Sequence, residues 1–383
     1  MVEVAANHAS SPEPEPPAPL AASSRAPRLR VLDGLRLVAA LSVMAYHYTA
    51  RTSNAWDGDV RAVWPGVGRL TQYGYLGVNL FFLISGFVIL MTAWGRTVET
   101  FAISRVTRLF PAYWVGVALT ALLLLVLWPQ GKQLETWQAF TNLTMLQSAY
   151  DVPHVDGVYW TLWTELRFYL LMGLFVLVGI TRRRIVAACA LWPMLGELAS
   201  RTNQDLVGTL LVHDYAPYFA AGMALYLIYR DGHSWLAWGL VAWNWCLALP
   251  LAVNSMSVQN DATDRAGSVP ATLALVTLAF AVVALCGSRW TQRVQWRWLS
   301  VAGALTYPLY LIHEYWGFWL ISLTHEALGK WVAVAVAAAV TLTMAWLIHR
   351  LVERPLAPRV KSALTSALGS LRAHDELDRR PAP

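Results

Sequence analysis

Apolar runs long enough to cross a lipid bilayer recur along this chain of 383 residues, and they constrain its fold more than any other feature. The runs Val115 to Trp128 and Leu328 to Ile348 are the plainest. The second, with its flanks, reaches the roughly 20 residues that span a hydrocarbon core. Hydrophobic residues make up 57% of the chain and charged residues 14%, against about 45–50% and about 25% in soluble domains. Mean hydropathy is +0.43. Too few charges remain to cover a water-soluble surface of this size, so the chain reads as an all-α, polytopic membrane protein.

Apolar stretches bounded by charge, proline or glycine give ten expected transmembrane helices, at 31–50, 73–94, 109–129, 158–180, 185–200, 212–229, 235–253, 269–287, 298–321 and 328–350. Residues 137–148 read as a re-entrant or interfacial segment. With ten spans, seventeen Lys and Arg residues fall on one side, from Arg25 through Arg182, Arg183 and Arg184 to Lys361, and seven on the other, among them Arg51, Lys132 and Lys330. By the positive-inside rule both termini are cytoplasmic and the chain is a multi-pass protein of the cell membrane. The same scatter of basic residues between apolar runs explains a net charge of +6 without a nucleic-acid partner. Cys189, Cys246 and Cys286 lie inside apolar runs without CxxC spacing, so neither a disulfide framework nor a metal site is expected. Residues 1–28, rich in Pro, Ala, Ser and Glu and lacking an apolar signal core, read as a disordered cytoplasmic tail. Residues 357–383 read as a second tail, disordered or lying on the surface.

A charge near the bilayer centre costs roughly 2.5–3.5 kcal/mol on insertion scales, so ionisable residues inside spans mark function by default. The first span, LRVLDGLRLVAALSVMAYHYTAR, holds Asp33, Arg36 and His47. At about 100° per residue, Arg36 and His47 lie only about 20° apart, and Asp33 falls about 40° from His47. A rise of about 1.5 Å per residue puts His47 roughly 16 Å beyond Arg36, toward the outer half. The polar stripe resembles the wall of a channel. A structural account makes Asp33 and Arg36 snorkelling caps and His47 an interfacial histidine. Glu165 and Arg167 in the fourth span, two turns in from the outer side, are expected near the depth of His47. Tyr307, Tyr310, His313 and Glu314 occupy the outer half of the ninth. Two histidines and a carboxylate at one depth suit general acid-base chemistry; a proton relay or a structural network uses the same residue types.

On the cytoplasmic side, FAISRVTRLFPAYW sets Arg105 and Arg108 three residues apart, on one side of a helix just before the third span, with Pro111 expected in that span's first turn. Paired guanidiniums suit phosphate oxygens; they also suit plain positive-inside residues. Gly77, Ser85 and Gly86 in the second span allow close helix approach, and Ser85 has no GxSxG context to make it a nucleophile.

These motifs, taken in order, resemble the acyltransferase-3 family of integral membrane O-acyltransferases, which modify O-antigen, peptidoglycan, exopolysaccharides and macrolide sugars. LDGLRLVAALSVMAYH is similar to the family's opening helix with its Arg-x10-His pair, YLGVNLFFLISGFVI to its second-helix signature, and RVTR to its Arg-x-x-Arg motif. YWTLWTELRFYL, YPLYLIH and the closing ERP at Glu353 to Pro355 resemble later segments. The resemblance covers about 31–356 and implies a membrane acyltransferase domain at 29–356. It implies transfer of an acyl group, usually acetyl, from cytoplasmic acyl-CoA to a hydroxyl of a carbohydrate, glycolipid or glycosylated metabolite. Carried over by motif, His47 is the catalytic base or the transient acyl carrier, Arg36 its partner and Glu165 a further site residue. Arg105 and Arg108 contact the CoA phosphates, and Asp33, Tyr310 and His313 are placed with the substrate. No metal is implied. Only about 30 residues follow Arg350, so the membrane domain is expected to complete the transfer itself or hand over to a separate protein. The competing expectation is a proton-coupled secondary transporter or exporter with Asp33, Glu165, His47 and His313 as its relay. A structural scaffold leaves the clustered ionisable residues unexplained. The loops at 51–72, 130–157 and 254–268 carry Trp56, Trp64, Asp151, Asp156 and Asp261, which suit a sugar or an interfacial aromatic belt.

Overall fold

The computed structural model describes residues 29–288, 291–294 and 296–378, so the expected tail at 1–28 lies outside the described residues. Secondary structure among the described residues is helical, with no strand. The long helices are α1 (Arg30–Thr49), α2 (Gly77–Ala93), α3 (Val98–Leu122), α4 (Trp160–Val178) and α5 (Arg182–Arg201). They continue with α6 (Ala216–Asp231), α7 (Trp235–Asn254), α8 (Val269–Cys286), α9 (Arg297–Leu328), α10 (Lys330–Ile348) and α11 (Arg354–Asp378). Short helices at Thr136–Asn142 and Gln147–Tyr150 occupy the segment read as re-entrant or interfacial.

Among the described residues, six helical stretches are long and apolar enough to cross a membrane: Val67–Ala93, Val98–Leu127, Gly157–Val178, Trp235–Thr263, Val269–Cys286 and Lys330–Ser370. Of the ten expected spans, α1, α5, α6 and α9 fall outside that set, the first three for readable reasons. α1 carries Arg30, Asp33 and Arg36, and α5 opens on three arginines. α6 has only 16 residues, and every one from Ala216 to Ile228 is buried. Surrounded by protein, α6 presents no face that lipid must wet.

Side-chain caps set several starts. The hydroxyls of Thr97, Thr181, Ser234 and Ser268 accept backbone amides at the first turns of α3, α5, α7 and α8, satisfying donors that the helix itself cannot pair. The cap at Thr97 moves the beginning of α3 well ahead of the apolar run. Pro111, expected in a first turn, therefore sits inside a continuous 25-residue helix, with Arg105 and Arg108 on the turns before it. Proline is tolerated there because neighbouring helices re-satisfy freed backbone groups. Gly329, at φ 74°, reverses the chain between α9 and α10, which then pack along each other. Residues 354–378 form α11, which runs on from α10 through a turn at His349–Glu353 and packs against α3.

Two packing groups emerge. α1 lies against α9, and α9 against α10; α6 lies against α2, α5 and α7. α1 also meets α2, and α3 meets α9, so one bundle results. The α2–α6 crossing is very close. A Cβ on Gly86 would stand 2.1 Å from Phe219 O, and one on Gly222 would stand 2.1 Å from Leu83 O. Small residues replace hydrophobic driving force with close van der Waals approach, as helix association in lipid requires. Gly222→Val forces the backbones apart and should cost about 1–3 kcal/mol, read as a lower thermal midpoint in detergent. Gly239→Val, on an open face of α7, should leave the midpoint unchanged.

Candidate functional site

Arg36, Arg105 and Arg108 wall a cavity of about 320 Å³ between α1, α2, α3, α4 and α9. The i, i+3 spacing on α3 projects Arg105 and Arg108 from one side of the helix. Arg105 stacks at 5.7 Å over both Phe101 and Tyr169, and Arg108 at 5.9 Å over Tyr307, contacts that fix the guanidinium planes. Arg36 Nη1 lies 3.9 Å from Asp33 Oδ1. Asp33 is accommodated by Gly303, where any Cβ would meet the aspartate side chain at 2.5 Å. On the facing wall, Ser85 Oγ donates to Glu165 Oε1 at 3.0 Å.

At Arg36, Arg108, Val88 and Gly303 this cavity joins a vestibule of about 1370 Å³. Arg96, Arg350 and Arg354 add their charge there. Glu353 sits at its side, 2.6 Å from His349 Nδ1 and 3.8 Å from Arg108 Nη1. Five arginines around one opening, with low-dielectric walls behind, focus a positive potential that attracts polyanions.

The cavity ends at Tyr310, whose hydroxyl is 3.1 Å from Thr161 Oγ1 and whose ring lies 5.6 Å from those of Phe81 and His313. Beyond Tyr310 stands a histidine pair. His47 on α1 and His313 on α9 are 5% and 1% exposed, with His313 Nε2 3.3 Å from His47 Nδ1. Backbone oxygens decide the tautomers, because a carbonyl only accepts. His47 Nδ1 is 2.8 Å from Val43 O, and His313 Nδ1 is 3.0 Å from Tyr310 O, so each Nδ1 carries a hydrogen. His313 Nε2 then accepts from His47, and His47 Nε2 is left with a free lone pair, facing Glu314 Oε1 at 3.8 Å. Tyr48 anchors the pair: its hydroxyl donates to His313 O at 2.8 Å, and its ring occupies the space that a side chain at Gly317 would need.

The structure thus gathers Asp33, Arg36, Arg105, Arg108, Glu165 and Tyr310 along one continuous space, and sets His47 and His313 beyond Tyr310. Arg36 keeps to the arginine-rich end. Glu165, expected at the depth of His47, stands instead with Arg36 and Ser85; Arg167 turns away to Thr209 O and the Trp163 ring. The reason is that Gly157, at the head of α4, already touches Glu314, so Glu165 is two further turns down. Trp56, Trp64 and Asp156, expected to face a sugar or to belong to an interfacial belt, are 4%, 1% and 0% exposed. Trp56 and Trp64 pack on each other at 5.7 Å, and Trp56 Nε1 donates to Tyr48 O. Asp151 and Asp261 are exposed.

Sequence reasoning left out several groups now at the site. Arg51 Nε is 3.9 Å from Glu314 Oε1. Lys132 Nζ donates to His154 O at 2.5 Å, and burial holds its pKa below the ordinary lysine value. Glu314, next to His313 in sequence, is the carboxylate that the sequence reading does place with the histidines.

Residues 29–350 match the acyltransferase domain family designated Acyl_transf_3. The chain is 26% identical over 372 residues to Acyltransferase MdmB of Streptomyces mycarofaciens, covering 86% of this chain and 92% of that one. It is 27% identical over 167 residues to the peptidoglycan O-acetyltransferase OatA of Listeria monocytogenes, covering 38% of this chain and 24% of that one. No solved structure matches.

Ser85→Ala should leave Glu165 one donor short and cost about 1–3 kcal/mol. The expected readout is a lower thermal midpoint in detergent, with Ser85→Thr closer to wild type.

Proposed function

The chain belongs to the acyltransferase-3 family of integral membrane O-acyltransferases, and from that premise we propose that it moves an acetyl group from cytoplasmic acyl-CoA to a hydroxyl of a carbohydrate, glycolipid or glycosylated metabolite, with His47 as general base. The observation that carries this reading is the continuous space from the five-arginine vestibule, past Arg105 and Arg108, to Tyr310, with the histidine pair directly behind that ring. Its charge falls off along its length as the parts of acyl-CoA do. Phosphates would remain among the arginines, bound bidentately where the forks allow. The uncharged pantetheine arm would pass Ser85 and Thr161, and the thioester would move beyond the Tyr310 ring. The ten-span arrangement, with the arginine-rich vestibule on the cytoplasmic side of the cell membrane, is part of the same proposal and follows the distribution of Lys and Arg.

The chemistry assigned to His47 follows from its tautomer. Nε2, with its lone pair free, takes the hydroxyl proton as the acceptor oxygen attacks the thioester carbon. The tetrahedral intermediate collapses with cleavage of the C–S bond, the CoA thiolate departs, and the imidazolium returns the proton to it. Ester and free CoA thiol are the products, and no proton or electron is left over. During the step His47 Nδ1–H keeps its bonds to Val43 O and His313 Nε2, which orient the ring and spread the charge that forms. Similarity to OatA, an O-acetyltransferase of peptidoglycan, favours acetyl as the group and a carbohydrate as the acceptor class.

The test is release of free thiol from acetyl-CoA by the purified protein in lipid nanodiscs, with product mass read on candidate acceptors. Wild type should release thiol. His47→Ala should lower the rate by about 10²–10⁴-fold, the usual worth of a general base. Arg105→Ala and Arg108→Ala should each raise KM for acetyl-CoA about tenfold or more, since a hydrogen bond to a charged group is worth about 1.5–3 kcal/mol. A folded His47→Ala protein with wild-type turnover contradicts the assignment. Proton-coupled transport by a protein that neither binds acyl-CoA nor releases thiol would replace it.

A further inference from the structure

Asp156 and Glu314 are the most deeply buried carboxyl groups among the described residues, 0% and 2% exposed. Asp156 closes the loop ahead of the turn at Gly157–Tyr159, and Glu314 follows His313 on α9. Gly157, the residue after Asp156, lies against the Glu314 carboxyl, a Cβ there standing 2.5 Å from Oε2, and the two carboxyl groups are close enough to share a hydrogen bond. Two carboxyl groups share a hydrogen bond only if one of them carries a proton. Without that proton, Asp156 Oδ2 and Glu314 Oε2 are buried acceptors with no donor, and two adjacent buried anions repel at short range.

The surroundings decide where the proton sits. Glu314 Oε1 faces the two basic groups, His47 Nε2 at 3.8 Å and Arg51 Nε at 3.9 Å. Asp156 accepts only the Val158 amide, through Oδ1 at 3.2 Å. Lys132, the remaining cation nearby, is occupied by His154 O. The other ionisable neighbours, His313, Tyr46, Tyr310 and Tyr315, are neutral in their ordinary forms. Burial, with Glu314 beside it, holds the Asp156 carboxyl well above the usual carboxylate range. The proton therefore belongs to Asp156, and the charge to Glu314.

We propose that Asp156 and Glu314 form a one-proton pair in which Asp156, protonated, donates to Glu314 and holds it as the carboxylate that faces His47 Nε2, making Glu314 a positioning residue for the base. The role rests on the acyl-transfer reading. When His47 takes the acceptor proton, the imidazolium finds the Glu314 carboxylate already beside it, with Oε1 3.8 Å from Nε2, as its counter-ion. Glu314 never bonds the acyl group, and the Asp156 proton stays where it is.

The experiment measures kcat and KM for thiol release from acetyl-CoA in nanodiscs, together with the infrared carboxylic-acid C=O band of the wild type and of Asp156→Asn. Glu314→Gln should lower kcat about tenfold or more with KM for acetyl-CoA unchanged, because the arginine sites are untouched. Asp156→Asn still offers an N–H to Glu314 and should stay within about threefold of wild type. Asp156→Ala should fall as far as Glu314→Gln, and the double substitution should fall no further, as expected for one coupled unit. At neutral pH the protonated-carboxyl band should be present in wild type and missing from Asp156→Asn. Wild-type kcat in Glu314→Gln, equal damage from Asp156→Asn and Asp156→Ala, or no such band in wild type each overturn the pair. The band needs no turnover, so a protein that has it but releases no thiol would condemn the acyl-transfer reading and leave the shared proton standing.

Discussion

Everything at the reactive end of this protein depends on how α1 is pinned to α9. Tyr48 donates to His313 O, its ring fills the space left by Gly317, and the contact brings the His47 and His313 rings within 5.0 Å of each other. Neither helix fixes a histidine tautomer with a side chain. Each uses a carbonyl of its own preceding turn, Val43 O or Tyr310 O, so rigid secondary structure sets the protonation pattern. Reactive groups held by element backbones are more exactly placed than groups carried on loops. The loop contribution, Asp156, is itself buried and tied to the Val158 amide.

A second constraint is the cost of charge in a low-dielectric interior. The protein meets it by gathering most of the site's cations at one end and setting Arg51 against the Glu314 carboxyl at the other. Arg36, Arg96, Arg108, Arg350 and Arg354 share an open vestibule, and Arg105 and Arg108 are backed by aromatic rings. Between them and the histidine pair the lining is Ser85, Glu165, Thr161 and Tyr310 with apolar neighbours. A ligand with a polyanionic head and a long neutral arm matches that gradient.

Much of this was legible in the sequence, because helical periodicity is a physical property of the chain. The stripe of Asp33, Arg36 and His47 follows from angle and rise alone, and the pairing of Arg105 with Arg108 from their spacing. What failed was depth and loop placement. Glu165 was set too near His47 because residue counting began at an assumed membrane edge, whereas the head of α4 is inserted beside Glu314. Asp156, Trp56 and Trp64 belong to loops that fold inward, and no periodicity reports that. Pro111 misled for a related reason: the helix start is set by the Thr97 cap, not by the beginning of the apolar run. Family resemblance carried the arginine and histidine motifs, while the Asp156–Glu314 contact required the fold.

The central claim is that one path connects the arginine vestibule to His47 and that acyl-CoA lies along it. An experimental structure in nanodiscs with a non-hydrolysable thioether analogue of acetyl-CoA tests it most directly. The account predicts the pyrophosphate against Arg105 and Arg108, the Tyr310 ring displaced, and the acetyl-mimicking carbon close enough to His47 Nε2 for a hydroxyl to sit between them, with that hydroxyl about 3–3.5 Å from the carbon. An analogue bound with its phosphates elsewhere, or with its acyl end stopped on the arginine side of an unmoved Tyr310, would contradict it.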